Sequence, residues 1–275
     1  MKIMVTGAAG QLGRSLPKAL SGHELTTLER GALDIACLDD VRSAIRAQQP
    51  AVVVNAAAYN EVDRAESEPE AAFRGNQLGP RNLALATAET GAALVHVSSD
   101  YVFDGSADAP YDEDAATNPL SVYGKSKLAG EKAVREANPR HYLVRSAWVF
   151  AAQGRNFCNT IRRLAEAGPV RVVTDQRGSP TYAPHLARAI AALIGTGAFG
   201  TYHLAGRGGT SWFELTRALF ERLGIAAPVE PVTTDAFPRP APRPRYSVLT
   251  TVREPRILLP PWEEGLDAYA RELGA

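Results

Sequence analysis

Tyr123 and Lys127 stand four residues apart in the stretch VYGKSKLAGE (122–131). In a helix that spacing puts both side chains on one face. A free phenol has a pKa near about 10 and exchanges protons poorly at neutral pH. A neighbouring ammonium stabilises the phenolate and draws that value down. A second set of groups lies in HVSSDYVFDG (96–105), an apolar run that ends on the hydroxyls of Ser98 and Ser99. A hydroxyl at a strand end can hold a substrate oxygen against a phenol. Ser99, Tyr123 and Lys127 together could therefore protonate an alkoxide as it forms on a carbonyl carbon. A Tyr-x-x-x-Lys pair alone is common by chance. It fits equally a surface helix with a packed tyrosine and a solvated lysine.

What tips the balance is the segment VTGAAGQLG (5–13), which follows the first apolar run and opens the first helical pattern. Gly7, Gly10 and Gly13 give G-x-x-G-x-x-G. Such glycines permit a tight turn, let the backbone approach a pyrophosphate and let helix and strand pack closely. The helix N-terminus behind them offers free N–H groups and a partial positive charge. This predicts a dinucleotide site, and a hydride donor beside the Ser-Tyr-Lys set would suffice for carbonyl reduction. The second strand should end near an adenosine ribose, at TLERGALDI. Glu29 would accept from ribose hydroxyls, as for NADH, whereas Arg30 would pair with a 2′-phosphate, as for NADPH. With both present the choice between the two cofactors stays open. Asp34 and Ile35 are expected to flank the adenine. The small residues of NAAAYN (55–60), Ala57 and Ala58 among them, would let a cofactor lie across the sheet edge.

These groups must be carried by a scaffold, and the first half of the chain supplies one. KIMV (2–5), ELTTL (24–28), AVVVNA (51–56), ALVHVS (93–98) and HYLVR (141–145) read as buried strands with helical patterns between them. That alternation predicts right-handed parallel crossovers and an α/β, Rossmann-type doubly wound sheet over residues 1–150. A smaller, partly interleaved substrate-binding domain is expected over 151–275, with segments near 181–205 returning to the first. The four prolines of DAFPRPAPRPRYS (235–247) predict a loop laid over the body. The 275 residues carry 30 basic and 30 acidic side chains. Zero net charge argues against a nucleic-acid or membrane-surface partner. The chain shows no leader pattern and no long apolar run, so the cytoplasm is the expected location. Cys37 and Cys158 are too few for a disulfide framework and read as reduced and buried.

Taken in order, the glycine loop, NAAAYNEVDRAESEP (55–69), SSDYVFDG (98–105), NPLSVYGKSKLAGE (118–131), RSAWVF (145–150) and DQRGSPTY (175–182) resemble the extended short-chain dehydrogenase/reductases. More narrowly, they resemble the dTDP-4-dehydrorhamnose reductases. The resemblance spans nearly the whole chain, and SSDYVFDG and DQRGSPT are far more specific than the glycine loop. It implies NADPH- or NADH-dependent reduction of the C4 keto group of dTDP-4-dehydro-6-deoxy-L-mannose to dTDP-L-rhamnose, for cell-surface polysaccharide. By position it makes Tyr123 the proton donor and Lys127 the group that binds the nicotinamide ribose and tunes the phenol. Ser99 stands where the family commonly has threonine. The resemblance gives Gly10, Gln11 and Leu12 to the pyrophosphate, and Ala58, Tyr59 and Asn60 to the cofactor's flank. Asn76 would support the active-site helix. Val62, Asp100, Tyr101 and Trp148 would border the sugar. PRPRYSVL (242–249) resembles the family's tail motif, expected over the nucleotide part of the substrate.

One departure bears on assembly. Some members carry a glutamate two residues after the last loop glycine and use it in a magnesium-bridged dimer, but this chain has Ser15. No metal site is therefore expected, and the protein should be a monomer or a homodimer of another kind. His23, His96, His141, His185 and His203 show no ligand spacing. Two rival readings remain. A non-catalytic, NADP-binding regulatory subunit like that of methionine adenosyltransferase resembles the same family. Another nucleotide-sugar epimerase or dehydratase is the second. A dehydratase needs a further acid after Asp100, where this chain has Tyr101.

Overall fold

The computed structural model describes residues 1–275. Five strands run through the first half: β1 (Lys2–Thr6), β2 (Glu24–Leu28), β3 (Val52–Asn55), β4 (Ala93–Ser99) and β5 (His141–Ser146). Between them lie the helices α1 (Gln11–Ala19), α2 (Leu38–Gln48), α3 (Pro69–Phe73), α4 (Gly79–Thr90) and α5 (Val122–Ala137). The sheet order is β2-β1-β3-β4-β5, and the strand Gly200–His203 adds beside β5. Every pairing in this sheet is parallel. Chain order reverses at β1, which has β2 on one side and β3 on the other. Open parallel sheets bind ligands in the crevice such a reversal creates beyond the carboxyl ends of the strands.

Side chains alternate across this sheet, and each set meets its own helical layer. Ile3, Val5, Val52, Val54 and Val95 share a core with Leu12 and Leu16 of α1 and with Leu186 and Ile190 of a later helix. Met4, Val53 and Leu94, one residue out of step, share another with Val41 and Ile45 of α2, Leu83 of α4 and Val134 of α5. Burial on both faces is why β1, β3, β4 and β5 read as apolar runs; β2 lies at the sheet edge with none of its residues buried, so the expectation of a buried strand at 24–28 does not hold there.

Four helices complete the chain: α6 (Phe157–Ala165), α7 (Ala183–Ile194), α8 (Trp212–Leu223) and α9 (Trp262–Glu272). Only α7 turns back to the main sheet, where it packs on α1. The other three enclose a separate core with Val170 and Val172, built on Cys158, Ile161, Leu215, Leu219, Phe220, Leu266 and Tyr269. Gly224 ends α8 in the left-handed region at φ 63°, as its place after the last periodic residue predicts. Of the two thiols only Cys158 is buried. Cys37 is half-buried because it forms the N-cap of α2 at the rim of the sheet, outside the core.

The glycine loop closes tightly. A Cβ on Gly13 would lie 2.2 Å from the Gly7 carbonyl oxygen, and one on Gly7 would lie 2.4 Å from the Ala57 nitrogen. Both obstacles are backbone, which cannot swing aside. Gly13→Ala should therefore lower stability by about 1–3 kcal/mol, the usual cost of overpacking. Calorimetry would show this as a melting temperature down by several degrees. An unchanged melting temperature would mean that α1 and β1 are not in this close contact.

Candidate active site

The Ser121 hydroxyl accepts the Gly124 N–H at 3.1 Å and so caps α5. Such a cap satisfies a donor that the first turn leaves free, and it fixes where the helix begins. Tyr123 is thereby held in the first turn, with Lys127 one turn further in. Gly124 is required next to it, because a Cβ there would lie 2.2 Å from the Tyr101 carbonyl oxygen. That close approach brings the helix start against the segment that follows β4. The rings of Tyr101 and Tyr123 meet edge to face, with centroids 5.4 Å apart. Val62, Tyr59, Ala65 and Ala72 complete the wall around the phenol ring. Its hydroxyl faces that of Ser99 at the end of β4. Burial raises the Tyr123 pKa above the ordinary phenol value, and the Ser99 hydrogen bond offsets only part of this.

Lys127 behaves differently from expectation. Its side chain is 2% exposed and its ammonium donates to the Val97 carbonyl at 2.7 Å. Burial lowers its pKa to about 8, against the attraction of Glu131 one turn on. The expected lowering of the Tyr123 pKa by this ammonium is absent, because desolvation of the phenol outweighs everything else acting on it. A proton donor needs no lowered value, however. A phenol held above neutral pH remains loaded with its proton.

Below the site, the ends of β1 and β3 share a buried polar chain with the middle of β4. The Thr6 hydroxyl donates to Asn55 Oδ1 at 2.7 Å, and Asn55 Nδ2 contacts His96 Nδ1 at 3.0 Å. Asn76 lies in a turn of π-helix at Arg74–Leu78 between α3 and α4. Its amide accepts the Tyr59 N–H and donates to the Tyr59 carbonyl and the Ser126 hydroxyl, at 2.9–3.0 Å. Ser126 in turn donates to the Tyr123 carbonyl at 2.7 Å. Asn76 thus ties the strand-β3 loop to the first turn of α5.

The predicted cofactor residues line the crevice, with corrections to how some would act. Gly10 is the N-cap of α1 and puts no side chain over the helix end. Leu12 is buried in the core, so only its backbone faces the loop. Gln11 turns its side chain to Asn156, accepting from Nδ2 at 2.9 Å. Glu29 and Arg30 are both exposed at the end of β2, and Ala58 and Asn60 are exposed beyond β3. Ala57 is half-buried and its N–H goes to Asn55 Oδ1 at 3.1 Å. Asp34 pairs with Arg74 at 2.6 Å and accepts the Ala36 N–H. The Ile35 side chain is turned into the core against Gly79, so it presents only backbone outward. Any contact it makes with an adenine would therefore come from its backbone, not its side chain.

On the opposite side, Asp100 is 2% exposed and both its oxygens are engaged. Oδ1 accepts from Ser99 at 3.0 Å and Oδ2 from Ser247 at 2.6 Å. Burial raises its pKa to about 6, with those hydroxyls opposing. Asp100 therefore orients Ser99 and anchors the tail. The tail lies across the mouth of the site. Its Arg245 carbonyl and Ser247 N–H both pair with Arg177 backbone at 2.8 Å. Arg243 pairs with Asp63, and its guanidinium holds the Asp63 carboxyl below the usual carboxylate range. Between the tail and residues 104–107 opens a cleft of about 680 Å³, lined by Arg177, Arg243, Arg245 and Asp175 among others. Trp148 stands at this end of the site too, beside Gly178.

A protein-family model described as the RmlD substrate binding domain matches residues 1–274. A dTDP-4-dehydrorhamnose reductase of Streptomyces griseus is 48% identical over 91% of this chain and 86% of its own length. The chain belongs to the dTDP-4-dehydrorhamnose reductase family. Solved structures of the family superpose closely. One from Clostridium acetobutylicum is 40% identical with a TM-score of 0.97, covering 100% of both chains. Another, from Bacillus anthracis in complex with NADP, is 37% identical with a TM-score of 0.96, covering 98% of this chain and 99% of its own.

Beside its expected residues, this member of the dTDP-4-dehydrorhamnose reductase family carries others that sequence reasoning missed. Asp63 lies in an acidic run that reads as solvated surface, and nothing local marks its partner Arg243, 180 residues away. Trp212 opens an amphipathic helix and reads as core. The π-turn has no signal, since the apolar period breaks over a single turn.

Proposed function

We propose that this protein reduces the C4 keto group of dTDP-4-dehydro-6-deoxy-L-mannose to dTDP-L-rhamnose, using NADPH or NADH. The observation that carries the reading is the Tyr123 phenol facing the Ser99 hydroxyl at the carboxyl edge of the sheet, with Lys127 buried one turn behind. The family membership supports the substrate. A dinucleotide fits the crevice on two further grounds. A Cβ at Gly7 or Gly13 would clash with backbone, so the loop has the shape of a bare cradle. The α1 N-terminus has no side-chain cap and no acid in its first turn, which leaves its N–H groups for an anion. Gly7, Gly10 and Gly13 and the backbone of Gln11 and Leu12 would hold the pyrophosphate. Glu29 or Arg30 would meet the adenosine ribose. Tyr59 with Ala57, Ala58 and Asn60 would follow the cofactor along the edge.

Such a cofactor, when bound, supplies hydride to the carbonyl carbon. The protein's own residues do the rest. Tyr123 donates its phenolic proton to O4 as negative charge grows there. Ser99, which gives its one hydroxyl proton to Asp100 in the free protein, would turn that proton to the same oxygen and hold it against the phenol. An ammonium has three donors and Lys127 gives one to Val97, so two are left for a ribose hydroxyl. Val62, Tyr101 and Trp148 border the sugar ring. The arginines of the tail cleft, Arg177, Arg243 and Arg245, suit a diphosphate, which would place the nucleotide part of the substrate under the tail. Balanced charge supports a small-molecule partner rather than nucleic acid or membrane, working in the cytoplasm. Ser15 brings a hydroxyl rather than a carboxylate to its position, and its proton goes to the Gln11 carbonyl at 3.0 Å; the reading is accordingly a monomer or a homodimer without a metal bridge.

The test follows NADPH, then NADH, by absorbance, with the keto-sugar generated in situ by the preceding epimerase. Cofactor consumption with dTDP-L-rhamnose as product is the expected result. A protein that binds NADPH and oxidises none over hours would instead be a non-catalytic NADP-binding subunit.

A further inference from the structure

Trp148 has an unusual conformation. Its φ is 48°, in the left-handed region, and among non-glycine residues only Gln49 shares that sign. A bulky residue held there is strained and persists only where its surroundings impose it. Two neighbours impose it. The Gly178 backbone comes so near that a Cβ would lie 2.3 Å from Trp148 Cε2. On the indole plane lies Trp212, with ring centroids 3.4 Å apart and planes 4° from parallel. Aromatic pairs left to themselves prefer an offset or edge-on arrangement. So close a face-to-face stack is held by the frame around it.

That frame is well built. Trp212 is the first residue of α8, directly after a capping box in which Ser211 and Glu214 satisfy each other's backbone donors. Phe157 of α6 packs on the Trp212 ring at 4.3 Å between centroids. Trp212 therefore belongs to the core formed by α6, α8 and α9, whereas Trp148 directly follows the end of β5 and Ala147. The stack joins that smaller core to the strand ends that carry Ser99 and the other site residues.

The geometry points to Trp212 as a positioning residue that fixes the indole of Trp148 for the sugar ring of the substrate. This rests on the reductase reading, in which Trp148 borders the sugar. Trp212 itself needs no contact with substrate. Its rigid anchoring on a capped helix lets Trp148 keep a conformation its backbone disfavours, so the sugar-facing edge is set before the ligand arrives.

The experiment compares wild type with Trp212→Leu, Trp212→Phe, Trp148→Leu and the Trp148→Leu/Trp212→Leu pair. Circular dichroism in the indole bands should show an exciton couplet in wild type that vanishes in either leucine variant. Titrations then give Kd for dTDP-L-rhamnose, for dTDP alone and for NADPH. Trp212→Leu should weaken dTDP-L-rhamnose about tenfold, near the upper worth of an aromatic pair, and leave dTDP and NADPH unchanged. Trp212→Phe keeps an aromatic face and should restore most of the affinity. The double variant should bind no more weakly than Trp148→Leu, because both act through one group. Unaltered dTDP-L-rhamnose binding in Trp212→Leu overturns the inference, as does an equal loss for dTDP alone or an additive double variant. Wild type that shows the couplet yet binds neither nucleotide ligand overturns the reductase reading, and this inference with it.

Discussion

Tyr123→Phe lowers kcat for keto-sugar reduction by about 10²–10⁴-fold, the range for losing a positioned general acid. The dissociation constant for NADPH stays at its wild-type value. The ring is walled by Tyr101, Tyr59, Val62 and two alanines, and phenylalanine keeps all of those contacts. Only the hydroxyl that faces Ser99 is removed. Ser99 keeps its hydroxyl for the carbonyl oxygen, so KM changes far less than kcat. Because burial keeps the phenol protonated well above neutral pH, the wild-type rate should not fall on the alkaline side through loss of this proton in the free enzyme. Stopped-flow traces of NADPH oxidation with the variant and wild type decide the matter. Undiminished turnover in the phenylalanine variant would assign proton donation to another group.

How this site could be read from sequence depends on how local each signal is. The glycine loop, the hydroxyls ending β4 and the Tyr-Lys pair are each contained within one strand end or one helical turn. Their residue types and spacing therefore carry their geometry. Four of the five strands were legible for the same reason, since burial on both faces leaves an apolar run, whereas β2 is an exposed edge strand rather than the buried one expected. Direction of burial was less accessible. Ile35 and Leu12 stand at cofactor positions, yet both side chains point into the cores beneath, and only their backbone faces outward. Period alone does not say which atoms of a residue meet a ligand. Pairings across long sequence distance were invisible altogether. Asp63 with Arg243 and Asp100 with Ser247 exist because the proline-rich tail crosses the mouth of the site. The role of Lys127 was half legible. Its face of the helix followed from the spacing, but its depth under β4 and its bond to a strand carbonyl are tertiary facts. The burial of Tyr123 itself, equally a tertiary fact, raised the phenol pKa where a lowering was expected.

Lys127→Met should abolish turnover and raise stability at neutral pH, a pairing that a structural lysine would not give. Burial lowers the ammonium pKa to about 8 in the folded chain, against an ordinary value of 10.5. Between these values the folded state binds fewer protons than the unfolded state, so stability rises with pH over that window. At pH 7 the lysine is charged in both states and the fold carries the full cost of burying it, about 3 kcal/mol. Methionine has a similar stem without the charge and removes that cost. It also leaves the Val97 carbonyl without its donor, a loss of about 1–3 kcal/mol. The balance favours the variant by up to about 2 kcal/mol at pH 7, and the advantage should disappear as pH approaches 10.5. Calorimetric melting of both proteins across pH 7 to 10 measures this directly. A variant less stable at pH 7, by an amount that does not change with pH, would show that the ammonium is held by favourable contacts rather than against desolvation. The expected result ties the two readouts together. A chain that keeps a buried cation at a net cost to folding, two donors free beside the phenol, holds it there for what it binds.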